Sequence, residues 1–554
     1  MKQLMVFLAM MTPVLVFGQK GYIIYRNVTN GKEAPFKNVL LFDNGIAQPQ
    51  ASGNSKELSF INYNKKQTEQ FVNNKGEYLA FASPFKDNPT LKKSDITETI
   101  CGVTCKKATF IANSNTIDIF YNENQKIKGS PAINYLPQLG TVLKVIVNGN
   151  RVTEAIEMKE GSYEGKKLTV PTATSFLKSQ AAFTRALIDS RFTTLSIFKN
   201  DTINFSDKYP KVYPEKYDET YHYGMGNILL KKIKLPEFRK NEGIFITVTQ
   251  RSNGDAYDRT GCVFVIPVAE GEPLIRAYQQ NSLTGLPSYS ARNGKDYKAM
   301  VSQKGFTVPF ELMRFFTPFG VGAYNTQSQI AGYHWPDSAS YSQDISDLKS
   351  ALSGKEVYIM MSIGNYNAGH IASLDLKIYP GSDDKNVIAG GNNFFKMLFN
   401  TTNVAETIGQ SVGDMFDQDS LKVNFTLEQP LKNAYLRYVS TGWGGWGNGD
   451  EFLPKINTLF LNDEKVFSFI PWRSDCVTYR NLNPVSGNFG NGLSSSDLSR
   501  SNWCPGTTTN PIYIPLGNLK AGNHELKVAI PMGKPEGSSY SGWNLSGLLM
   551  GITE

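Results

Sequence analysis

The 554-residue sequence has little of what marks most metal-dependent, nucleic-acid-binding and membrane proteins. It holds only four histidines, at 222, 334, 370 and 524. None lies at ligand spacing from another histidine, a cysteine or an acid, which argues against a zinc centre and a histidine-based triad. No metal and no cofactor is expected. Cations exceed anions, 57 Lys+Arg against 49 Asp+Glu, yet the densest basic cluster is LLKKIK at 229 to 234. A nucleic-acid binder would gather its cations into a stripe interleaved with rings, so no nucleic-acid partner is expected. Beyond the first residues no stretch approaches the roughly 20 apolar residues of a membrane-spanning helix.

At the start of the chain Lys2 precedes an apolar run from Leu4 to Phe17 and then Gly18, the layout of a secretory leader over residues 1–18. A secreted or periplasmic protein is expected, and its compartment would permit disulfides. The five cysteines are read on that basis. Cys101 and Cys105, in CGVTC, could close a short loop, and Cys476 with Cys504 would bracket a stretch rich in glycine and serine. Cys262 opens the run CVFVIP, apolar on both faces, and reads as a buried thiol.

Charged residues make up 19% of the chain, whereas 27 Tyr and 33 Phe sit in short runs broken by Gly, Asn, Asp and Pro. That spacing indicates antiparallel sandwiches and an all-β fold. Residues 19–165 read as a smaller β-rich domain, with a hairpin signal at Asn148-Gly149. Between 172 and 190 the apolar period lengthens, with Phe176, Ala182 or Phe183, Ala186 and Leu187 at helical intervals behind a threonine cap, so 166–192 reads as a helical linker. Two sets of about eight strand candidates follow, over 193–390 and 391–554, which suits a pair of jelly rolls.

Two loops of one build stand out against this background, SNGDAYDRTG at 252–261 and TGWGGWGNGDEF at 441–452. Each is rich in glycine and aromatic residues and carries acids, Asp255 and Asp258 in the first, Asp450 and Glu451 in the second. Glycines let a ligand approach backbone, flat rings stack on sugar faces, and two acids from separate domains can exchange protons across one cleft. Tyr257, Trp443, Trp446, Phe452 and Trp503 lie in loops and are read as candidate substrate-binding rings, with Asp255 and Asp450 beside them. Arg500, in LSRSNWCPG, would be held near the site by a Cys476–Cys504 bridge and could steady a carboxylate or an oxyanion. GQSVG at 409–413 matches a serine-hydrolase elbow with Ser411 as nucleophile, but its surroundings lack the strand and helix that elbow needs. The first loop also offers oxygens for calcium, although it lacks the regular acidic series and Arg259 would oppose a cation. An ordinary turn is the plain alternative.

DAYDR at 255–259, RFFTPFGVG at 314–322, GWG at 442–444 with the following Glu451, and RSNWCPG at 500–506 occur in the order that they take in bacterial peptide:N-glycosidase F, and residues 193–554 resemble that family. The additional N-terminal domain resembles its longer, type II form. The resemblance implies two adjacent eight-stranded jelly rolls with a cleft between them. It implies an amidase that cuts the bond between an asparagine side chain and the first N-acetylglucosamine of N-linked glycoproteins and glycopeptides. Separately, a monomer is expected. By motif position Asp258 would be the principal catalytic aspartate, Arg259 the arginine after it, Glu451 the second acid, and Arg500 and Trp503 the cleft arginine and tryptophan. Tyr257 and Phe452 stand where the family has tryptophans. The family's third acid falls on Ile363, so either that acid is dispensable here or another residue, such as the nearby Asn365, supplies its contacts. An endo-acting glycoside hydrolase and a non-catalytic carbohydrate-binding protein are the rival expectations.

Overall fold

The structure is a computed structural model that describes residues 19–553 apart from 51–55, 207, 367, 381–390, 403, 414, 417–419, 445–448, 487–493 and 533–540. The expected leader at 1–18 and the ring of Trp446 lie outside the described residues. The chain divides into two compact units, Met1–Phe192 and Thr193–Glu554. No helix among the described residues is long and apolar enough to cross a membrane.

The first unit is built on one 13-stranded sheet. Two meanders, one running from Asn38 to Pro84 and the other from Lys92 to Glu160, meet on the strand Lys20–Thr29, which pairs antiparallel with Asn38–Asp43 on one side and Arg151–Glu160 on the other. The expected hairpin turn is present, with φ of 50° at Asn148 and 72° at Gly149.

Two expectations need correction here. The helix is shorter than its apolar period suggested, Gln180–Ser190, and its cap is Ser179, whose hydroxyl accepts from the Ala182 amide at 3.1 Å. Phe176 belongs instead to a short strand, Ser175–Phe176, added in parallel to Leu79–Ala80, and Phe183 buries its ring toward Phe81. The helix therefore packs on this unit's sheet and is not a free connector. Cys101 and Cys105 are both unbridged. A two-residue turn puts Cys101 at a hairpin tip, with φ of 50°, while Cys105 sits in the next strand opposite Glu98. A cross-strand bridge joins residues that face each other, and here each sulfur meets a carbonyl instead, Ala155 at 3.3 Å and Val103 at 3.6 Å.

The second unit is a pair of jelly-roll sandwiches. Alternation of side chains drives each strand to bury one face. In Glu242–Ser252, for example, Ile244, Ile246 and Val248 point inward and are almost wholly buried. In the first sandwich Thr193–Ile203, His370–Pro380, Glu242–Ser252 and Ala339–Asp344 form one sheet. It faces Ile228–Lys234, Glu356–Ile363, Thr260–Pro267 and Phe310–Phe316, with short extra strands at both edges. In the second, Phe394–Asn400, Ser541–Ile552, Leu431–Gly444 and Ile512–Leu519 face Ser420–Leu427, Gly522–Ala529, Asn457–Leu461 and Glu464–Phe469. Taking the eight main strands of each sandwich in chain order, both show the same arrangement, first-eighth-third-sixth against second-seventh-fourth-fifth. This is the double Greek key of a jelly roll. Cys262 is buried and unpaired inside Thr260–Pro267, where burial pushes its thiol far up.

A buried ionic network fastens the two sandwiches to each other. Arg314, on Phe310–Phe316, makes a forked pair with Glu311 at 2.7 and 2.8 Å and reaches across to Thr441 Oγ1 at 3.0 Å and the Asn544 carbonyl at 2.6 Å. From the other side Arg437 donates to the Glu311 carbonyl at 2.8 Å and meets Asp347 at 3.2 Å, which also accepts from Tyr513. Two charges within the apolar run FELMRFF were the sequence signal for it.

Candidate active site

Each of the two acidic loops joins the third strand of its sandwich to the fourth, so the loops occupy equivalent ends of the two jelly rolls. In the first loop, Ser252 starts the turn by accepting from the Gly254 amide at 3.1 Å and donating to the Asp255 carbonyl at 2.6 Å. Gly254 takes φ of 137°, a region only glycine enters freely. Asp255 then turns inward. It is 2% exposed, and its carboxylate accepts from the amides of Tyr257 at 3.0 Å and Tyr366 at 2.7 Å and from Arg259 Nε at 2.8 Å. His370 Nε2 lies 3.7 Å away, and burial pushes that imidazole down to about 4, so it stays neutral. Asp255 is therefore a scaffold for Arg259 and not a group offered to substrate. Arg259 is carried half-buried to the surface and packs over the ring of Tyr257, which is 58% exposed.

The second loop folds back on its own strand. Glu451 accepts from the Gly444 amide at 3.3 Å, and its carbonyl accepts from Ser501 at 3.0 Å. Gly442 passes so close to this segment that a Cβ would lie 2.7 Å from the Asp450 carbonyl oxygen. Asp450, like Asp255, faces the interior: it is fully buried and accepts from Trp543 Nε1 at 2.8 Å. Neither acid is placed to bind substrate, which corrects the expectation for both. Buried carboxylates need donors, and each loop spends one acid on its own architecture.

Arg500 joins what remains. Its guanidinium is buried and donates from Nη2 to Asp258 Oδ2 at 3.2 Å and from Nε to Glu451 Oε1 at 3.1 Å, so one side chain spans acids from both sandwiches. Its other hydrogens go to the Ser495 and Leu498 carbonyls, at 2.6 and 3.2 Å, and to Ser495 Oγ at 2.9 Å. Backbone pairing of Arg500 with Arg473 and the Cys476–Cys504 disulfide hold the segment. Trp503, expected as a sugar-stacking ring, is 4% exposed. It lies between the Phe316 ring, parallel at 4.2 Å, and the Arg500 guanidinium at 4.6 Å, and donates to the Gly442 carbonyl at 2.9 Å. It supports the arginine and presents no face to a glycan. Phe452 also lies against Arg500, at 5.1 Å. Trp443 is half-buried, with its indole donating to Asn544 Oδ1 at 3.2 Å.

Burial pushes the Asp258 carboxyl up to about 6 against the pull of Arg500, with Glu451 raising it further and Arg259 opposing. Its side chain is 14% exposed and that of Glu451 19%, so both reach solvent through the cleft. Ile363 is fully buried in the core of the first sandwich, and Asn365 is tied to Asn227 and the Ile363 carbonyl, so neither provides a third acid's contacts. Ser411 follows the turn Glu406–Ile408 in an irregular loop, without the strand before it that an elbow needs. Composition alone missed Ser495 and Phe316. Ser495 lies in a serine-rich stretch with nothing to distinguish it, whereas Phe316 stood inside the motif RFFTPFGVG.

The fold and site define a class: an all-β protein of paired jelly rolls whose shared cleft sets two carboxylates against one arginine. Family models described as peptide-N-glycosidase F, N terminal, and peptide-N-glycosidase F, C terminal, match residues 194–378 and 411–550, and one described as N-glycanase peptide, N-terminal domain, matches 54–180. Two crystal structures of PNGF-II, in space groups P21 and C2, are 41% and 40% identical and superpose with TM-scores of 0.87 and 0.86. Each covers 97% of this chain, and the chain covers 100% and 98% of theirs. No curated protein sequence matches it. The chain belongs to the peptide-N-glycosidase F family, in its type II form, and is a glycan-cleaving enzyme of that kind.

Proposed function

We propose that the protein hydrolyses the amide between an asparagine side chain and the first N-acetylglucosamine of N-linked glycoproteins and glycopeptides, leaving aspartate and freeing the glycan with its chitobiose end intact. The observation that carries this reading is the Arg500 bridge between Asp258 and Glu451. A carboxamide resists attack because its nitrogen lone pair is conjugated with the carbonyl. Without a metal, an enzyme must activate water, stabilise the oxyanion and protonate the leaving nitrogen.

Asp258, with its carboxyl near 6, is largely ionised at neutral pH yet basic enough to take a proton from the attacking water. Arg500 holds both acids at fixed positions, and Arg259 supplies a second cation beside Asp258. Charge that develops on the carbonyl oxygen is favoured by this fixed pair of guanidiniums, which need no reorganisation as the reaction proceeds. The proton that Asp258 takes up then passes to the departing nitrogen, while Glu451, fixed by Arg500 in the same cleft, orients the scissile amide. Tyr257, the exposed ring next to Asp258, offers a stacking face for the core sugars. The Cys476–Cys504 disulfide supports action in an oxidising compartment outside the cytoplasm.

Mass spectrometry of a glycopeptide after reaction tests the proposal. The expected product is a sugar-free peptide with aspartate at the former glycosylation site. One N-acetylglucosamine left on asparagine would make the enzyme an endoglycosidase, and binding without turnover would make it a lectin.

A further inference from the structure

The catalytic end is not the only place where the two sandwiches meet around a concavity. At the far end of the same strands an open groove of about 910 Å³ lies between the first sandwich, at Pro267, Glu270 and Phe310, and the second, at Phe394, Phe395 and Asn424. Asp258 precedes the strand Thr260–Pro267 and the groove begins where that strand ends. At about 3.3 Å per residue, the eight-residue strand separates the two sites by roughly 25 Å. Phe310–Phe316 runs antiparallel to it and spans the same distance, opening on the groove with Phe310 and ending at Phe316 under Trp503. The groove is therefore separate from the catalytic cleft.

We propose that this groove is a second, non-catalytic binding site for a neutral oligosaccharide. Its volume is at the upper end of the range for ligand pockets, enough for several sugar rings in an open channel. Its ionisable lining residues balance, Glu270 and Glu428 against Lys304 and Lys396, so it presents no net charge to select a polyanion or a polycation. Phe310, Phe394 and Phe395 are half-buried and leave ring surface in the groove, flat apolar faces of the kind the C–H side of a pyranose covers. The exposed amides of Asn424 and Gln429 each carry both donors and an acceptor, the combination that answers vicinal hydroxyls. Two of the charged groups are already held in place: Glu270 accepts from Thr307, and Lys396 donates to the Thr426 carbonyl at 3.3 Å. Phe394 and Lys396 belong to a strand at the edge of its sheet, as does Asn424, so the rings and one of the two amides are set on regular backbone, and Gln429 lies in the bend just after the strand that carries Asn424.

Hydrogen–deuterium exchange of the full chain with a free neutral N-glycan of mannose and N-acetylglucosamine tests the site directly, because the free glycan carries no amide to cleave. The expected result is slowed exchange over 394–398 and 423–429. A double variant, Asn424→Ala with Gln429→Ala, alters two exposed side chains. It should lose that protection and bind the glycan at the groove at least tenfold more weakly by calorimetry. Its turnover of a short glycopeptide should stay within twofold of the parent. Unchanged exchange in both segments overturns the proposal, as does a double variant that keeps its protection. Protection by a reduced, unglycosylated polypeptide in place of the glycan would also overturn it and make the groove a peptide site. Because binding is read away from the cleft, loss of the amidase assignment would leave this result standing.

Discussion

Asp258 should cost the protein stability at the pH where it works, and removing its charge should reveal the amount. Its carboxyl is 3.8 when unperturbed and about 6 in the fold, raised mainly by burial. A group that holds its proton more tightly when folded stabilises the native state below its unfolded value, and that contribution is lost as pH rises through about 6. At about 1.4 kcal/mol per pH unit, the ionised carboxylate is worse off in the native cleft by about 3 kcal/mol, an upper figure because the side chain retains 14% exposure. Asp258→Asn keeps the shape and cannot ionise. With an unfolding entropy of about 2.1 cal/mol/K per residue over Thr193–Glu554, roughly 0.8 kcal/mol/K in all, the gain corresponds to a rise in Tm of up to about 4 °C at pH 8 and to almost none at pH 4. Calorimetric melts of both proteins across that range measure it, beside an assay in which the variant loses about 10²- to 10⁴-fold in turnover, the usual share of a general base. A variant no more stable than the parent at pH 8, or equally stabilised at pH 4, would refute the account of how burial raises this carboxyl.

Four further outcomes follow from the same geometry. The parent's kcat/KM should fall as pH drops through about 6, since the proposed base is the ionised form of Asp258. Arg500→Gln, which removes the cation holding Asp258 down, should move that limb to higher pH, and a limb that stays in place would separate the two residues. Arg314→Ala leaves Glu311 buried without its forked partner and should destabilise the second unit by about 3–5 kcal/mol in urea titrations, whereas replacing both by apolar residues of similar volume should recover most of the loss. Asp255→Asn removes the carboxylate beneath Arg259. At about 1.5–3 kcal/mol for a charged hydrogen bond, kcat/KM should fall about 10- to 100-fold in a folded protein, and parent-like kinetics would show that Arg259 needs no such support.

The sandwich architecture was legible because period-2 alternation in runs such as GIFITVTQ reports directly on which face is buried, and because the pattern stops at each glycine-rich loop. The pairing of Asp258 with Glu451 was legible from motif order. The division of labour within each loop was not, since a carboxylate in a polar turn looks the same whether it faces water or a ring of amide donors. Asp255 and Asp450 read as substrate ligands for that reason, yet backbone amides and Trp543 Nε1 claim them. Trp503 misled in the same manner: a loop tryptophan suggests exposure, whereas the stack on Phe316 and the disulfide beside it draw this one into the interior. CGVTC suggested a bridge from spacing alone, but strand register decides which side chains face each other, and register depends on the turn.

The ion network between the sandwiches fixes the calibre of the aperture as well as its strength. Any hinge motion that widened the gap between Asp258 and Glu451 would drag the guanidiniums of Arg314 and Arg437 away from their acids inside an apolar interior, at a penalty of several kcal/mol. The enzyme therefore meets its substrate as a gauge of set width. In the proposed reaction, adaptation falls to the glycoprotein and not to the cleft.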